Sequence, residues 1–279
     1  TVTGRFSYSN PNLQQIPARN KDLGPMIRGL FIPEKDHTWG CFDYSQQEPR
    51  LVVHYAATTE PICFNDSVTK IVEKFKDDSV DFHQTVADMA NISRSQAKTI
   101  NLGLFYGMGK AKLQAELGLN TKQEAENLFN QYHDNVPFVR ELMNRTSSFA
   151  QTSGSIGTLL GRKCRFDKWE PATFGMHTPM TLEEAERTYG RGRIRRAFTY
   201  KALNKLIQGS AADMTKKAML DLYQEGIIPH IQIHDELDLS IESQEQAKKI
   251  IEIMENAVKL TIPNKVDYES GQTWGEING

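Results

Sequence analysis

Apolar positions along this chain switch between two spacings, and the switches mark its elements. Trp39 to Asp43 is a short apolar run ending on a carboxylate and reads as a strand, and Ser45 to Ala57 has helical spacing. Ser45-Gln46-Gln47-Glu48 has the Ser-x-x-Glu form of a capping box, and Pro49 is tolerable there because it falls in the first turn. Asp81-Phe82-His83-Gln84 opens another helix, Ser93 caps a third, and Thr121 to Asn135 and Pro137 to Gln151 give two more. From Lys163 to Gly192 the pattern weakens, interrupted by Trp169, Pro171, Pro179 and several glycines. A helix resumes over Arg195 to Glu225, Ile228 to Ile241 alternates as strands do, Gln244 to Lys259 is helical, and a last strand near Val266 to Tyr268 precedes Trp274. Strands at both ends with helices between them predict a mixed α/β body whose middle forms a helical subdomain.

Composition narrows the picture only a little. With 39% apolar and 24% charged residues over 279 positions, the chain can bury a large core, and disorder is not indicated. Cys41, Cys63 and Cys164 match no metal-ligand spacing and predict a reducing, intracellular (cytoplasmic) compartment without a disulfide framework. No apolar run approaches the length of a membrane span, and Thr1 to Asn10 is too polar for a signal peptide, so no membrane partner is expected. The net charge of −2 gives no hint of nucleic acid. Arg187, Arg191, Arg193, Arg195, Arg196 and Lys201 are nevertheless clustered, which could make a positive groove on a slightly negative body; alone, a solvated face is the favoured reading.

Two carboxylates stand out. On one straight strand Asp235 would share a face with Ile231, Ile233, Leu237 and Leu239, and burying even a neutral polar group unpaired costs roughly 2–7 kcal/mol. A hairpin turn at His234-Asp235 or a bound cation would each remove that cost, and an acidic turn alone is an equally good account. Asp43 ends its strand directly before a helix, where a lone Asp is most often a cap. Brought together, the two could instead bridge a pair of Mg²⁺ ions about 3.5–4 Å apart for an in-line phosphoryl displacement. Arg94 and Lys98, four apart near a helix N-terminus, would repel unless an anion lay between them, although a solvated face is the bland alternative. His83, in a first helical turn, is likewise more often structural than a phosphate ligand.

The order of these segments resembles the polymerase I-like family A DNA polymerases. Asp43-Tyr44-Ser45-Gln46-Gln47-Glu48-Pro49-Arg50 resembles its motif A, Arg94 to Gly107 its motif B on the fingers helix, and Gln232-Ile233-His234-Asp235-Glu236-Leu237 its motif C. Thr3-Gly4-Arg5, Asn10-Pro11-Asn12-Leu13-Gln14 and Gln208-Gly209-Ser210-Ala211-Ala212-Asp213 match further blocks. The resemblance implies an α+β right-hand fold with an antiparallel-sheet palm (1–62 and 195–279) and an inserted helical fingers subdomain (63–194). It implies template-directed DNA synthesis on primer–template DNA from dNTPs, with two Mg²⁺ ions held by Asp43, Asp235 and the Tyr44 carbonyl, and Glu236 nearby. Arg94, Lys98 and His83 would hold the triphosphate, with Lys98 also acting in catalysis. Glu48 would block a ribose 2′-OH beside Gln46, while Leu102 and Tyr106 would stand at the nucleotide and templating positions. Arg5, Asn12, Gln14, Arg28, Arg162, Asn204, Gln208 and His234 would touch the DNA, Arg162 in a stretch with Lys163 and Arg165.

Departures from the family are specific. Leu102 stands where Phe or Tyr is usual, Gln47 and Pro49 replace aliphatic residues, Asp238 adds a carboxylate, and Phe166 to Arg193 is longer than the usual connection. The chain has no initiator Met and is expected to be a piece of a longer protein whose thumb and exonuclease portions precede Thr1. Two rival readings remain at this point: a single-subunit RNA polymerase, which Glu48 disfavours, and a duplex-binding remnant without turnover, which the intact Asp43, Asp235, Arg94 and Lys98 disfavour.

Overall fold

A computed structural model describes the chain except for residues 18, 19, 78, 79, 106, 107, 109, 174, 278 and 279 and the side chains of 102, 104 and 105. In chain order, the first elements are α1 (Leu23–Arg28), β1 (Thr38–Tyr44), α2 (Gln47–Thr58) and α3 (Asp66–Lys74). Next come α4 (Phe82–Ala90), α5 (Arg94–Phe105), α6 (Lys110–Glu116), α7 (Lys122–Asn135) and α8 (Pro137–Ser153). Short strands β2 (Ser155–Gly157), β3 (Lys163–Arg165) and β4 (Trp169–Pro171) then lead to α9 (Leu182–Tyr189) and β5 (Ile194–Arg196). The last elements are α10 (Ala202–Gln224), β6 (Ile231–Ile233), β7 (Glu236–Ile241), α11 (Gln244–Asn256) and β8 (Val266–Gly271). Two compact units result, residues 1–51 with 210–279, and residues 52–209.

The first unit is built on a sheet in the order β6-β7-β1-β8, with every neighbouring pair antiparallel. Side chains alternate across such a sheet, so Phe42 and Tyr44 lie on one face with Leu237, Leu239 and Ile241. That face is buried: Phe42 stacks on Tyr268 at 4.7 Å, and the Tyr44 hydroxyl donates to the Met254 carbonyl of α11 at 2.6 Å. Gly40 belongs to the same face, and a Cβ there would lie 2.5 Å from Ile241, so only glycine fits. On the opposite face Trp39 and Cys41 pack with Ile231, Trp274 and Ile277. Further along that face come Asp43, Glu236 and Asp238.

The second unit is largely helical. Asp81 caps α4 by accepting from the Gln84 amide, and Thr121 caps α7 in the same way. At the start of α5, Ser93 and Gln96 exchange reciprocal side-chain bonds with each other's amides, a capping box satisfying two otherwise orphaned donors. Ala150, Ile156, Cys164, Phe166, Ala202 and Leu206 form one of its cores. Within the segment of weak periodicity, β4 pairs with β5 and α9 carries a capping box from Thr181 to Glu184. The helix expected from Arg195 starts later, at Ala202, because Arg195 and Arg196 belong to β5. There Arg195 pairs with Glu170 at 2.9 Å and Arg196 lies 4.5 Å over the Trp169 ring. Part of the basic cluster is therefore structural.

Candidate active site

Strand β6 ends at Ile233, β7 begins at Glu236, and His234 takes the left-handed conformation at φ 56. The turn resets the alternation: Gln232 faces Leu237, and Ile231 faces Asp238. Leu237 and Leu239 thereby enter the core while the turn takes half-buried Asp235 out of the strand alternation, which is one of the two solutions the sequence allows. The Gln232 side-chain amide donates to the His234 carbonyl at 2.6 Å and pins the turn. Across the sheet, the Tyr44 amide donates to the Asp235 carbonyl at 3.3 Å, so the turn is tied to the end of β1.

This arrangement concentrates negative charge. Asp43 stands directly opposite Glu236 on one side and Asp267 on the other. Its carboxyl is pushed up to about 8 by the surrounding protein mass and by Asp235, Glu236 and Asp267. Because Asp43 still reaches solvent, the repulsion carries more weight than the burial. Glu236 is also pushed up to about 8, by burial and by Asp238 and Asp235, with Arg28 pulling the other way. Burial raises Asp235 as well. A group of carboxyls that resist ionising together is a group that a divalent cation would stabilise in the ionised form.

Glu48 does not complete the expected capping box. The helix begins at Gln47 with Gln46 at φ 55, and the Glu48 carboxylate takes the Arg5 guanidinium at 2.5 Å. Burial raises the Glu48 carboxyl, and Arg5 opposes the rise. Gln47, unusual for an aliphatic position, donates to the Thr215 hydroxyl at 3.3 Å, and Pro49 sits in the first turn as expected. Asn12 accepts from the Gln14 amide, Gln14 reaches the Phe6 carbonyl, and Arg28 lies 4.4 Å over Trp274. His234, on its turn, is exposed.

In the second unit α4 and α5 bring His83 and Arg94 to one neighbourhood. Arg94 donates twice to Asp81, at 2.8 and 2.5 Å, so the helix cap is also its ion-pair partner. Lys98 is exposed one turn further on. His83 is buried; its Nδ1 accepts from the Asn101 amide at 3.0 Å, and the Asn101 oxygen accepts from the Tyr132 hydroxyl. That relay leaves the proton on His83 Nε2 and fixes the ring. Burial lowers the His83 pKa, helped by Arg94 and Lys98, so the ring is neutral at pH 7. From the sequence Asp81 reads only as a helix start and Asn101 only as part of the motif B stretch, while Tyr132 carries no signal beyond its place in a helix; the relay that joins Asn101 to both rings appears only in the structure. Arg162 donates to the Gly209 carbonyl at 2.9 Å, and Asn204 holds a buried side-chain amide nitrogen without a partner. Gln208 lies on α10 and Leu102 on α5; Tyr106 falls outside the described residues. Among the described residues no helix is long and apolar enough to cross a membrane.

A family model described as DNA polymerase family A matches residues 1–276. The chain is similar to a DNA-directed DNA polymerase of Pseudomonas phage M6, 35% identical over 99% of this chain and 44% of that protein. It is similar also to DNA polymerase I of Caldicellulosiruptor bescii, 35% identical over 99% of this chain and 31% of that one. Among solved structures, the POL domain of Pol1 from M. smegmatis, in complex with DNA primer-template and dNTP, superposes with a TM-score of 0.76 at 28% identity. That match covers 99% of this chain and 46% of the other. The chain thus spans less than half the length of these relatives.

Proposed function

The chain belongs to DNA polymerase family A, and we propose that it carries the chemistry of template-directed 5′–3′ DNA synthesis, transferring dNMP from a dNTP to a primer 3′-OH. The observation that carries this reading is the convergence of Asp43 and Asp235 through the β1 end and the pinned His234-Asp235 turn. Hard carboxylate oxygens and a nearby backbone carbonyl, Tyr44, are a donor set that suits Mg²⁺, and the mutual repulsion of the acids favours a cation. Two Mg²⁺ ions held by Asp43, Asp235 and the Tyr44 carbonyl would supply charge stabilisation to the transferring phosphoryl group.

The remaining roles are divided between the units. Within the second, Arg94 and Lys98 provide fixed positive charge for the triphosphate, and neutral His83 offers Nε2–H as a donor held in place by Asn101. Arg94 must share itself between Asp81 and a phosphate. Within the first, Glu48 is anchored by Arg5 rather than free, which supports a steric role against a 2′-OH over an acid–base one. Arg5, Asn12, Gln14, Arg28 and His234, with Arg162, Asn204 and Gln208 of the second unit, are assigned to the DNA. Contacts of that kind position a duplex without reading its sequence.

Primer extension by the protein expressed from its full reading frame tests the assignment. Asp43→Asn and Asp235→Asn are expected to abolish extension while leaving duplex affinity within about tenfold, because phosphate contacts dominate binding. Near-normal extension in either variant refutes the metal assignment. Preferential use of NTPs over dNTPs by the wild-type protein would instead support an RNA polymerase.

A further inference from the structure

Cys41 and Asp238 are direct cross-strand partners in β1 and β7, and Glu236 lies two residues along β7 on the same face. One ligand atom from each, the thiol sulfur and two carboxylate oxygens, all lie within 4.8 Å of one another. Asp238 is fully buried, and neither of its oxygens accepts a hydrogen bond of normal geometry. Its polar neighbours are the Cys41 thiol and the Glu236 carboxyl, whose hydrogen-bonding pull on its charge is outweighed by burial, which raises its pKa to about 7. Arg28 acts on both carboxylates from further off, its guanidinium stacked on Trp274. A carboxylate so buried is costly without a partner.

We propose that Cys41, Glu236 and Asp238 form a site for one borderline-soft divalent cation of the Zn²⁺ class, separate from the Mg²⁺ positions assigned to Asp43 and Asp235. The donor types decide the class: a thiolate with two carboxylates suits Zn²⁺, whereas Mg²⁺ prefers oxygen alone. Tetrahedral Zn²⁺ with bonds of about 2.3 Å to sulfur and 2.1 Å to oxygen sets its ligand atoms roughly 3.6 Å apart. From a spread of 4.8 Å the three must close by about an ångström, which side-chain rotation can supply. On binding, the Cys41 S–H bond breaks and the sulfur lone pair forms the S–metal bond; that proton, with any still held on the Glu236 and Asp238 carboxyls, passes to solvent. The inference stands on the sheet geometry and does not depend on the polymerase reading. Its consequence would be local: a cation here neutralises charge beside Asp43, which Glu236 faces across the sheet.

Co²⁺, a spectroscopic stand-in for Zn²⁺, tests the site in the intact protein. A Cys63→Ser/Cys164→Ser double variant leaves Cys41 as its single thiol among these three cysteines. That variant is expected to show a thiolate-to-Co²⁺ charge-transfer band, displaced by equimolar Zn²⁺ and not by excess Mg²⁺. The catalytic carboxylates can bind Co²⁺ but cannot give a sulfur band. Cys41→Ser should abolish the band, and Asp238→Asn should weaken Zn²⁺ binding at least about tenfold. Asp43→Asn should keep the band. No band in the double variant, an undiminished band in Cys41→Ser, or its loss in a folded Asp43→Asn would each overturn the proposal. Should Cys41→Ser or Asp238→Asn lose its far-UV circular dichroism, the double variant alone decides.

Discussion

Removing divalent cations from the acidic face should make this protein lose stability as pH rises from 7 to 8, the reverse of the usual carboxylate behaviour. A carboxyl whose folded pKa lies above its unfolded value keeps a proton in the folded state that the unfolded chain has released. Stability from such a group is present at low pH and lost as pH rises through the folded pKa. Asp43 and Glu236, with ordinary values of 3.8 and 4.5 and both pushed up to about 8, lose it progressively from about pH 4 to about pH 8, so the slope is still present between pH 7 and 8 and fades above. Burial lowers the pKa of His54, His83 and His234 and takes His133 to about 4; these rings act in the opposite direction, but mainly below pH 7. Above pH 7 the acids dominate, with His37, raised by the Lys35 carbonyl and Glu242, acting in their direction.

The size follows from linkage. One retained proton gives a slope of about 1.4 kcal/mol per pH unit, and a group titrating at 8 is on average roughly 70% protonated between pH 7 and 8. Each acid would then contribute about 1 kcal/mol, but Asp43 reaches solvent, and screening cuts its share sharply. A loss of roughly 1 kcal/mol for the whole cluster is the expected result. Urea denaturation in EDTA at pH 7, 7.5 and 8, followed by tryptophan fluorescence, measures it. Millimolar Mg²⁺ should reverse the trend, because it binds the ionised acids and binds them better at pH 8. Stability that holds or climbs from pH 7 to 8 in EDTA would refute the picture of acids in conflict.

Three further outcomes can be checked alongside the Asp43 and Asp235 extension assays. Glu48→Ala should leave Arg5 unpaired and raise NTP use relative to dNTP use, whereas Glu48→Gln keeps the bulk and should alter sugar selectivity little; a loss of melting temperature with unchanged selectivity would point to a structural role alone. Leu102→Tyr should relax discrimination against dideoxynucleotides more than Leu102→Phe, since only Tyr adds a hydroxyl; two overpacked variants, each less stable by about 1–3 kcal/mol with unchanged incorporation ratios, would show Leu102 to be core. Tyr132→Phe should loosen the Asn101–His83 relay and raise the apparent dNTP requirement with little change in duplex affinity, and an unchanged nucleotide requirement would sever His83 from the triphosphate.

Local signals carried much of this architecture, and long-range ones did not. The expected strand at Trp39 to Asp43, the turn at His234-Asp235 and the helices opened by Asp81, Ser93, Thr121 and Pro137 all form, because each is specified by neighbours a few residues away. The capping box at Ser45 fails for the opposite reason: Glu48 is taken by Arg5, 43 residues earlier, and no local spacing announces that partner. Arg195 and Arg196 have helical character in sequence, yet Glu170 and the Trp169 ring hold them in a strand. Asp81 could be read as a cap and not as the anchor of Arg94, since only the packing of α4 beside α5 gives it the second role. Asp238 was legible as an extra carboxylate, but its face depends on where the hairpin turns.

That dependence explains how one sheet holds both a core and a repelling acidic cluster. Antiparallel pairing sets residues directly opposite each other on the same face, so the register placing Phe42 against Leu237 in the core must also place Asp43 against Glu236 and Cys41 against Asp238. A one-residue slip of β7 would relieve the acids and turn Leu237, Leu239 and Ile241 out of the core, each worth roughly 1.5–3 kcal/mol of burial. Repulsion among partly screened carboxyls is smaller than that sum, so the apolar face wins and holds the acids where they oppose one another. The core is in this sense the positioning device of the acidic cluster: the side chains of Phe42, Tyr44, Leu237 and Leu239 lie on the face opposite Asp43, Glu236 and Asp238, yet they determine which carboxylates meet. Loosening the core face should therefore reach the acids before it unfolds the chain.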